Sequence, residues 1–239
     1  MGKFVLALLV TLILASTSHG QALAPLHLEL SKKWSGNRTV NIVFHGHSVP
    51  AGYHKTPDVR PFESYPHLVH VGLKGKFPHA VLNVIVTAIG GEASPAGAAR
   101  FSRDVLPHRP DLVLIDYALN DRRVPEEQVE ASWLSMIRAA KEAGVPVVLI
   151  TPTGDATADM ANPADPLSQR AALIRKLAAA EKVILADVSA AWVAELAKGT
   201  PQSEILSQVN HPNLRGHQLA ADAIIKALGE AGLVSAEGR

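Results

Sequence analysis

The sequence predicts an α/β fold: a three-layer α/β/α sandwich around a central parallel sheet of about five strands. Short β-rich apolar runs recur along the chain, and longer segments of helical period lie between them. No repeat, linker or low-complexity stretch interrupts the alternation. A run that is apolar at every position belongs in a sheet covered on both faces, because a strand with one wet face would alternate apolar and polar residues.

Taken in order, the chain opens on a leader. Lys3 supplies a positive charge, Phe4 to Ala15 is apolar except for Thr11, and small polar residues follow in Ser16-Thr17-Ser18-His19-Gly20. This is the three-part layout of a secretory signal peptide, with cleavage expected after Gly20 or Ala22, and the apolar run is too short to span a bilayer well. Residues 1–22 are therefore read as a signal peptide and residues 23–239 as a single domain. The mature protein is expected to be secreted or periplasmic, with no membrane span after cleavage.

Five runs then read as buried strands: Val40 to Phe44, Val81 to Val86, Leu112 to Ile115, Val145 to Ile150 and Val183 to Ala186. Between them, Val129, Trp133, Met136, Ile137 and Ala140 share one helix face, and Gly144 stops that helix. Leu167, Ala171, Ile174 and Ala178 repeat the spacing, as do Ala220, Ala223, Ile224, Ala227 and Leu228, with Gly229 just beyond.

Composition narrows the function. The chain has 239 residues, 47% hydrophobic and 19% charged, with a formal net charge of +1. That suffices for one sizeable core, and no basic run calls for nucleic acid as partner. Cysteine is absent, which excludes disulfides, thiolate metal sites and a cysteine nucleophile. An exported chain without cysteine suggests a bacterial envelope or exterior.

In open parallel sheets the chemistry gathers at the carboxyl ends of the strands. The first such loop reads His45-Gly46-His47-Ser48-Val49-Pro50. A serine on a glycine-bearing turn between strand and helix can expose its hydroxyl beside free backbone N–H groups, or can simply cap the helix. The second carries Gly90-Gly91, a close approach to a ligand or a plain turn. The third, Asp116-Tyr117-Ala118-Leu119-Asn120-Asp121-Arg122-Arg123, is more polar than a turn requires. Before the last helix stands Asn210-His211-Pro212-Asn213, where Asn213 can cap the helix and His211 is one of eleven histidines.

In order and wording these four blocks resemble the SGNH (GDSL-like) hydrolase family. Its blocks read Gly-Asp-Ser, a glycine after the second strand, Gly-x-Asn-Asp after the third, and Asp-x-x-His-Pro-Asn near the end. Gly46-His47-Ser48, Gly91, Ala118-Leu119-Asn120-Asp121 and His211-Pro212-Asn213 match them, and the likeness runs from about Val40 to the last helix. The resemblance implies an ester hydrolase in which Ser48 is the nucleophile and His211 its base. The Ser48 and Gly91 N–H groups and the Asn120 amide would hold the oxyanion, at about 10²–10³ in rate for each such donor. It also suggests a polysaccharide or small-molecule ester as substrate, plausible examples being O-acetylated carbohydrates, with no cofactor.

Two departures stand out. Gln208 occupies the place of the family's aspartate, where it can accept from the imidazole but cannot stabilise imidazolium as a carboxylate does. Its backbone carbonyl is a second means of orienting the ring, and Glu204 has the wrong spacing. His47 replaces the aspartate of Gly-Asp-Ser. It either packs in that place or, with His45 on the same face of an extended segment, forms half of a metal site completed by Asp116 or Asp121 and His211. Arg122 and Arg123 either pair with Asp121 or another buried acid, or bind an acidic substrate group. Trp34, Tyr53 and Tyr117 either stack on sugar or pack into the core. A non-catalytic carbohydrate-binding protein and a metal-dependent hydrolase are the competing functions.

Overall fold

A computed structural model describes residues 22–234. Helix α1 (Ala24–Ser31) leads into β1 (Thr39–Gly46), which passes directly to a single turn, α2 (Ser48–Ala51). Next come α3 (Tyr65–Lys76), β2 (Val81–Val86), α4 (Ser94–Asp104), β3 (Leu112–Asp116) and another single turn, α5 (Ala118–Asp121). The alternation continues through α6 (Glu126–Glu142), β4 (Val147–Ile150), α7 (Pro166–Glu181), β5 (Ile184–Ala186) and α8 (Val188–Ala197). A short antiparallel hairpin, β6 (Leu206–Gln208) and β7 (His211–Pro212), precedes the final helix, α9 (Leu214–Glu230).

The five main strands form one parallel sheet in the order β2-β1-β3-β4-β5. Their largely apolar sequences split by pleat between two cores. Ile42, Phe44, Leu112, Leu114, Val148 and Ile150 face a core shared with α1, α3, α8 and α9. Val43, Val113, Ile115, Val147 and Leu149 face the other, shared with α4, α6 and α7. Each fully buried aliphatic side chain contributes about 1.5–3 kcal/mol, so both sheet faces must be covered, and the three-layer expectation holds.

Two of the three periodic helices, α7 and α9, extend beyond their apolar stripes to polar caps. Asp165 accepts the Leu167 N–H at the start of α7, and Asn213 accepts the Gly216 N–H at the start of α9. Gly144, at φ 72°, turns the chain after α6 as expected. Gly229, by contrast, lies inside α9, and the reversal falls at Gly232, φ 87°. Five helices, α1, α3, α4, α8 and the single turn α5, have no counterpart in the sequence reading. In α4 the reason is plain: it buries Ser94, Gly97, Arg100 and Phe101, only one of them a large hydrophobe. The expected leader lies outside the described residues except for Ala22; next to it, Leu23 is buried, with its N–H on the Ala231 carbonyl.

The order places β2 and β3 on opposite sides of β1, so the chain leaves β1 toward one face and returns to β3 across the other. A crevice opens at the carboxyl ends of such a pair. Gly46, paired with Asp116, closes β1 there. A Cβ at Gly46 would lie 2.5 Å from the Asp116 carbonyl oxygen and 2.8 Å from Pro50 Cγ. Gly46→Ala should therefore force the two strand ends apart, at about 1–3 kcal/mol. Urea denaturation should show the loss as a lower midpoint at unchanged slope, and an unchanged midpoint would remove the steric account.

Candidate active site

Ser48 is the first residue of α2, and His47 rather than Ser48 is its cap. His47 Nδ1 accepts the Val49 N–H at 3.3 Å, and Gly52, at φ 88°, ends the turn after one cycle. The Ser48 hydroxyl, in a residue only 6% exposed, thus stands just beyond the end of β1, 3.0 Å from His211 Nε2. The β6–β7 hairpin carries His211, and its pairing of Gln208 with His211 sets those two side chains next to each other.

The far side of the imidazole departs from expectation. His211 Nδ1 lies 2.9 Å from the His54 backbone carbonyl oxygen and 2.8 Å from Gln208 Nε2. Gln208 turns its oxygen away, where it accepts the Thr56 N–H at 2.9 Å. The carbonyl that meets the ring is therefore not that of Gln208. Glu204 pairs with Arg215 instead of approaching His211. Burial holds the His211 imidazole below its ordinary pKa; the hydrogen bond to the His54 carbonyl opposes this, and the rings of His47 and His54 add to it.

Across the crevice, Gly91 adopts φ 81° and nothing lies within 4 Å of where a Cβ would sit. Neither its N–H nor that of Ser48 has an acceptor among the described residues. Asn120 gives one amide hydrogen to the Glu92 carbonyl at 2.7 Å and keeps a second. Asp121 anchors the same loop from below: its carboxylate accepts the Ser94 N–H at 2.7 Å and Trp133 Nε1–H at 2.8 Å. Burial raises its pKa while these two bonds pull it down.

A residue that the sequence reading passed over ties this corner together. Buried Arg100 donates to Glu92 at 2.8 Å, to the Thr87 carbonyl at 2.6 Å and to the Tyr117 hydroxyl at 3.0 Å. One guanidinium thus joins the end of β2, the glycine loop and the residue after β3. An arginine on an otherwise small-residue helix reads as exposed, and only its three-residue step from Gly97 hinted at an inward face.

Several expected groupings do not form. His45 is saturated: Nδ1 lies 2.8 Å from Thr87 Oγ1, and Nε2 is 3.1 Å from both the Gly97 carbonyl and the Tyr117 hydroxyl. His47 packs beneath Ser48 with Nε2 3.3 Å from Asp116 Oδ1, in a geometry that makes no hydrogen bond. Among the described residues, no three His, Asp or Glu side chains gather as a metal ion would require. Arg122 pairs at 2.5 Å with Asp155, a buried acid on the loop after β4, and not with Asp121 or the open crevice. The aromatic trio is dispersed. Tyr117 is core, Trp34 is 89% exposed ahead of the amino end of β1, and only Tyr53 stands by the site, its ring 5.8 Å from that of His211. No helix among the described residues is long and apolar enough to cross a membrane.

Residues 44–219 match the GDSL-like lipase/acylhydrolase family. Among solved structures, the chain is similar to the acetylxylan esterase Axe2 from Geobacillus stearothermophilus, with a TM-score of 0.70 and 22% identity over 83% of this chain and 97% of that one. It is also similar to a two-domain esterase active on acetylated mannans, with a TM-score of 0.71 and 24% identity over 88% of this chain and 53% of that one. No curated protein sequence matches.

Burial also holds His45 down to about 4 and His217 to about 3. Below pH 6.5 the unfolded chain protonates both rings and the folded chain does not. Stability is thus lost as pH falls from 6.5 toward 4 and then 3, by up to about 1.4 kcal/mol per pH unit for each ring. His217→Asn keeps an acceptor for the Tyr65 N–H that His217 Nδ1 now binds. Urea titrations from pH 4 to 7 should give this variant a shallower slope by one proton; a slope equal to the parent's would place the proton uptake elsewhere.

Proposed function

The chain belongs to the GDSL-like lipase/acylhydrolase family and is an ester hydrolase, and from that premise we propose that it is an exported carbohydrate O-acetylesterase working through a Ser48 acyl-enzyme. The observation that carries the mechanism is the Ser48 Oγ–His211 Nε2 contact at 3.0 Å, beside two backbone N–H groups without acceptors among the described residues.

With Nδ1–H directed at the His54 carbonyl, Nε2 presents its lone pair to the Ser48 hydroxyl. Ser48 Oγ attacks the ester carbonyl carbon as its proton passes to Nε2. The oxyanion forms among the N–H groups of Ser48 and Gly91 and the free amide hydrogen of Asn120. These donors are fixed in advance by α2, by Arg100 and Asp121 and by the Glu92 carbonyl, so they need little reorganisation as charge develops. The tetrahedral species collapses, and Nε2–H protonates the departing sugar oxygen, which leaves as a hydroxyl; water deprotonated by the same nitrogen then attacks the acyl carbon, and Ser48 Oγ leaves with that proton as the acid is released.

What supports acetylated polysaccharide as substrate is the kind of ester named for the two structural neighbours, acetylated xylan and acetylated mannan. Polymeric substrates also fit export, which rests on the leader-like residues 1–22, with residues 23–239 as one catalytic domain. Arg122, committed to Asp155, is assigned to the scaffold in this reading, and His47 to support of the nucleophile's turn.

Treatment with a fluorophosphonate should add one adduct to the parent, detected by intact mass, and none to Ser48→Ala. Acetate release from acetylated xylan and mannan oligosaccharides should vanish in Ser48→Ala, and Asn120→Ala should lower kcat by about 10²–10³. A folded parent that takes no adduct would overturn the serine mechanism. An adduct without acetate release would leave the mechanism standing and remove the substrate.

A further inference from the structure

We propose that the backbone segment His54–Thr56 does the orienting work of an acid for His211, and that Gln208 is the clamp holding that segment in place. The proposal rests on the reading of His211 as the base of Ser48.

The imidazole Nδ1 has two neighbours with opposite demands. The His54 carbonyl, at 2.9 Å, can only accept a proton, and Gln208 Nε2, at 2.8 Å, can only donate one. Nδ1 carries either a hydrogen or a lone pair, so one neighbour goes unserved. The orientation of Gln208 is not free to resolve the conflict. Its oxygen takes the Thr56 N–H at 2.9 Å, and reversing the amide would set NH2 against N–H. Its nitrogen has another acceptor in Thr56 Oγ1 at 3.2 Å.

Counting partners decides between the two tautomers. With the proton on Nδ1, it goes to the His54 carbonyl, the Gln208 amide goes to Thr56 Oγ1, the Thr56 N–H goes to Gln208 Oε1, and the Ser48 hydroxyl goes to Nε2. Every donor then has an acceptor except one Gln208 amide hydrogen, which is left facing Nδ1–H. With the proton on Nε2, the His54 carbonyl loses its donor and the Ser48 hydroxyl must find a new acceptor. The first tautomer is also the one in which Nε2 can take the serine proton.

The segment is built to hold that carbonyl in place. It leaves α2 at Gly52, and the Tyr53 N–H returns to the Ser48 carbonyl at 3.0 Å. The His54 N–H binds the Asp58 carbonyl at 3.0 Å, and the Arg60 N–H binds the Gly52 carbonyl at 2.7 Å. Tyr53 and Val59 pair across it as an isolated antiparallel bridge. One end is thus tied to the nucleophile's own turn. The other is tied to the hairpin that carries His211, across 152 residues, by Gln208 on Thr56. The groups facing the ring are His54, His47, Tyr53, Ser48 and Gln208, with no carboxylate among those that perturb it.

Gln208→Glu is the informative change, because it keeps the shape. One carboxylate oxygen retains the Thr56 N–H, and the other takes the nitrogen's place facing Nδ1–H. The tautomer should be unchanged, His211 should become a stronger base, and the acid limb of kcat should move to higher pH. kcat at its plateau should rise by tenfold or more, bounded by the roughly 10⁴ that an acid provides in a comparable triad. Gln208→Ala should lower kcat about tenfold at unchanged KM by loosening the segment, a size comparable to losing an outer-shell orienting partner.

The tautomer itself is read without substrate. Long-range ¹H–¹⁵N spectra of the full chain labelled at histidine, assigned with His211→Gln, should show neutral His211 protonated at Nδ1 in the parent and in Gln208→Glu. A parent ring protonated at Nε2 overturns the proposal, as does a folded Gln208→Ala that matches the parent in both tautomer and kcat. If no ester is cleaved yet the Nδ1–H tautomer is found, the functional reading fails and the positioning device stands.

Discussion

The bond between Ser48 Oγ and His211 Nε2, 3.0 Å across a sequence separation of 163 residues, is the contact on which the site depends. Neither partner is held by its own element alone. Ser48 stands on a turn of four residues, and His211 on a strand of two. Elements that short have no cooperative stability of their own. The turn inherits its place from β1, whose end is locked to β3 by the Gly46–Asp116 pairing. The hairpin inherits its place from α9, through Asn213, which caps the helix and binds the Glu204 carbonyl at 2.9 Å. Packing of α9 on the sheet thereby becomes alignment of His211 with Ser48.

A second layer of polar residues turns that alignment into a surface shaped for negative charge. Arg100 and Asp121 are both buried, and an unpaired charge in such a place costs several kcal/mol. Each is satisfied by loop groups next to the crevice. Arg100 draws in Glu92 and the Thr87 carbonyl, and Asp121 the Ser94 N–H. The demand of a buried ion for partners is thus what fixes the glycine loop, and the loop in turn holds the Gly91 N–H out toward solvent. Charges that look structural sit one step behind the groups proposed to do the chemistry.

The same division explains what could be read from the chain. The strands were legible because their runs are largely apolar, and Val81 to Val86 coincides with β2 from end to end even though that strand lies at the sheet edge and is only partly buried. Ser48, Gly91, Asn120 and His211 were legible because strand ends converge and each sits in a short distinctive block. α4 was not, since small residues let it lie close to the sheet without an apolar stripe. Asp155, the partner of Arg122, lies 33 residues away on another loop, and nothing local marks it. The His54 carbonyl was the least visible of all. A backbone group has no residue type, so only the fold reveals where it points.

In the proposed mechanism that carbonyl changes the character of the base. A carboxylate beside an imidazole raises its proton affinity through full charge, whereas a carbonyl offers only a dipole, and here His47 and His54 oppose protonation. The ring is therefore neutral, and ready to accept, at more acidic pH than an acid-paired histidine would be. It also pulls less strongly on the serine proton, because general-base power falls with pKa. The lost driving force falls on the imidazolium stage, when the oxyanion is also present, and the two opposite charges form only a few ångströms apart. Much of the stabilisation of each must then come from the other, with the remainder from fixed N–H dipoles on the oxyanion side. On the proposed mechanism such a site depends more heavily on Gly91 and Asn120 than one with a full triad, and the buried Arg100 and Asp121 that anchor the glycine loop fit that demand.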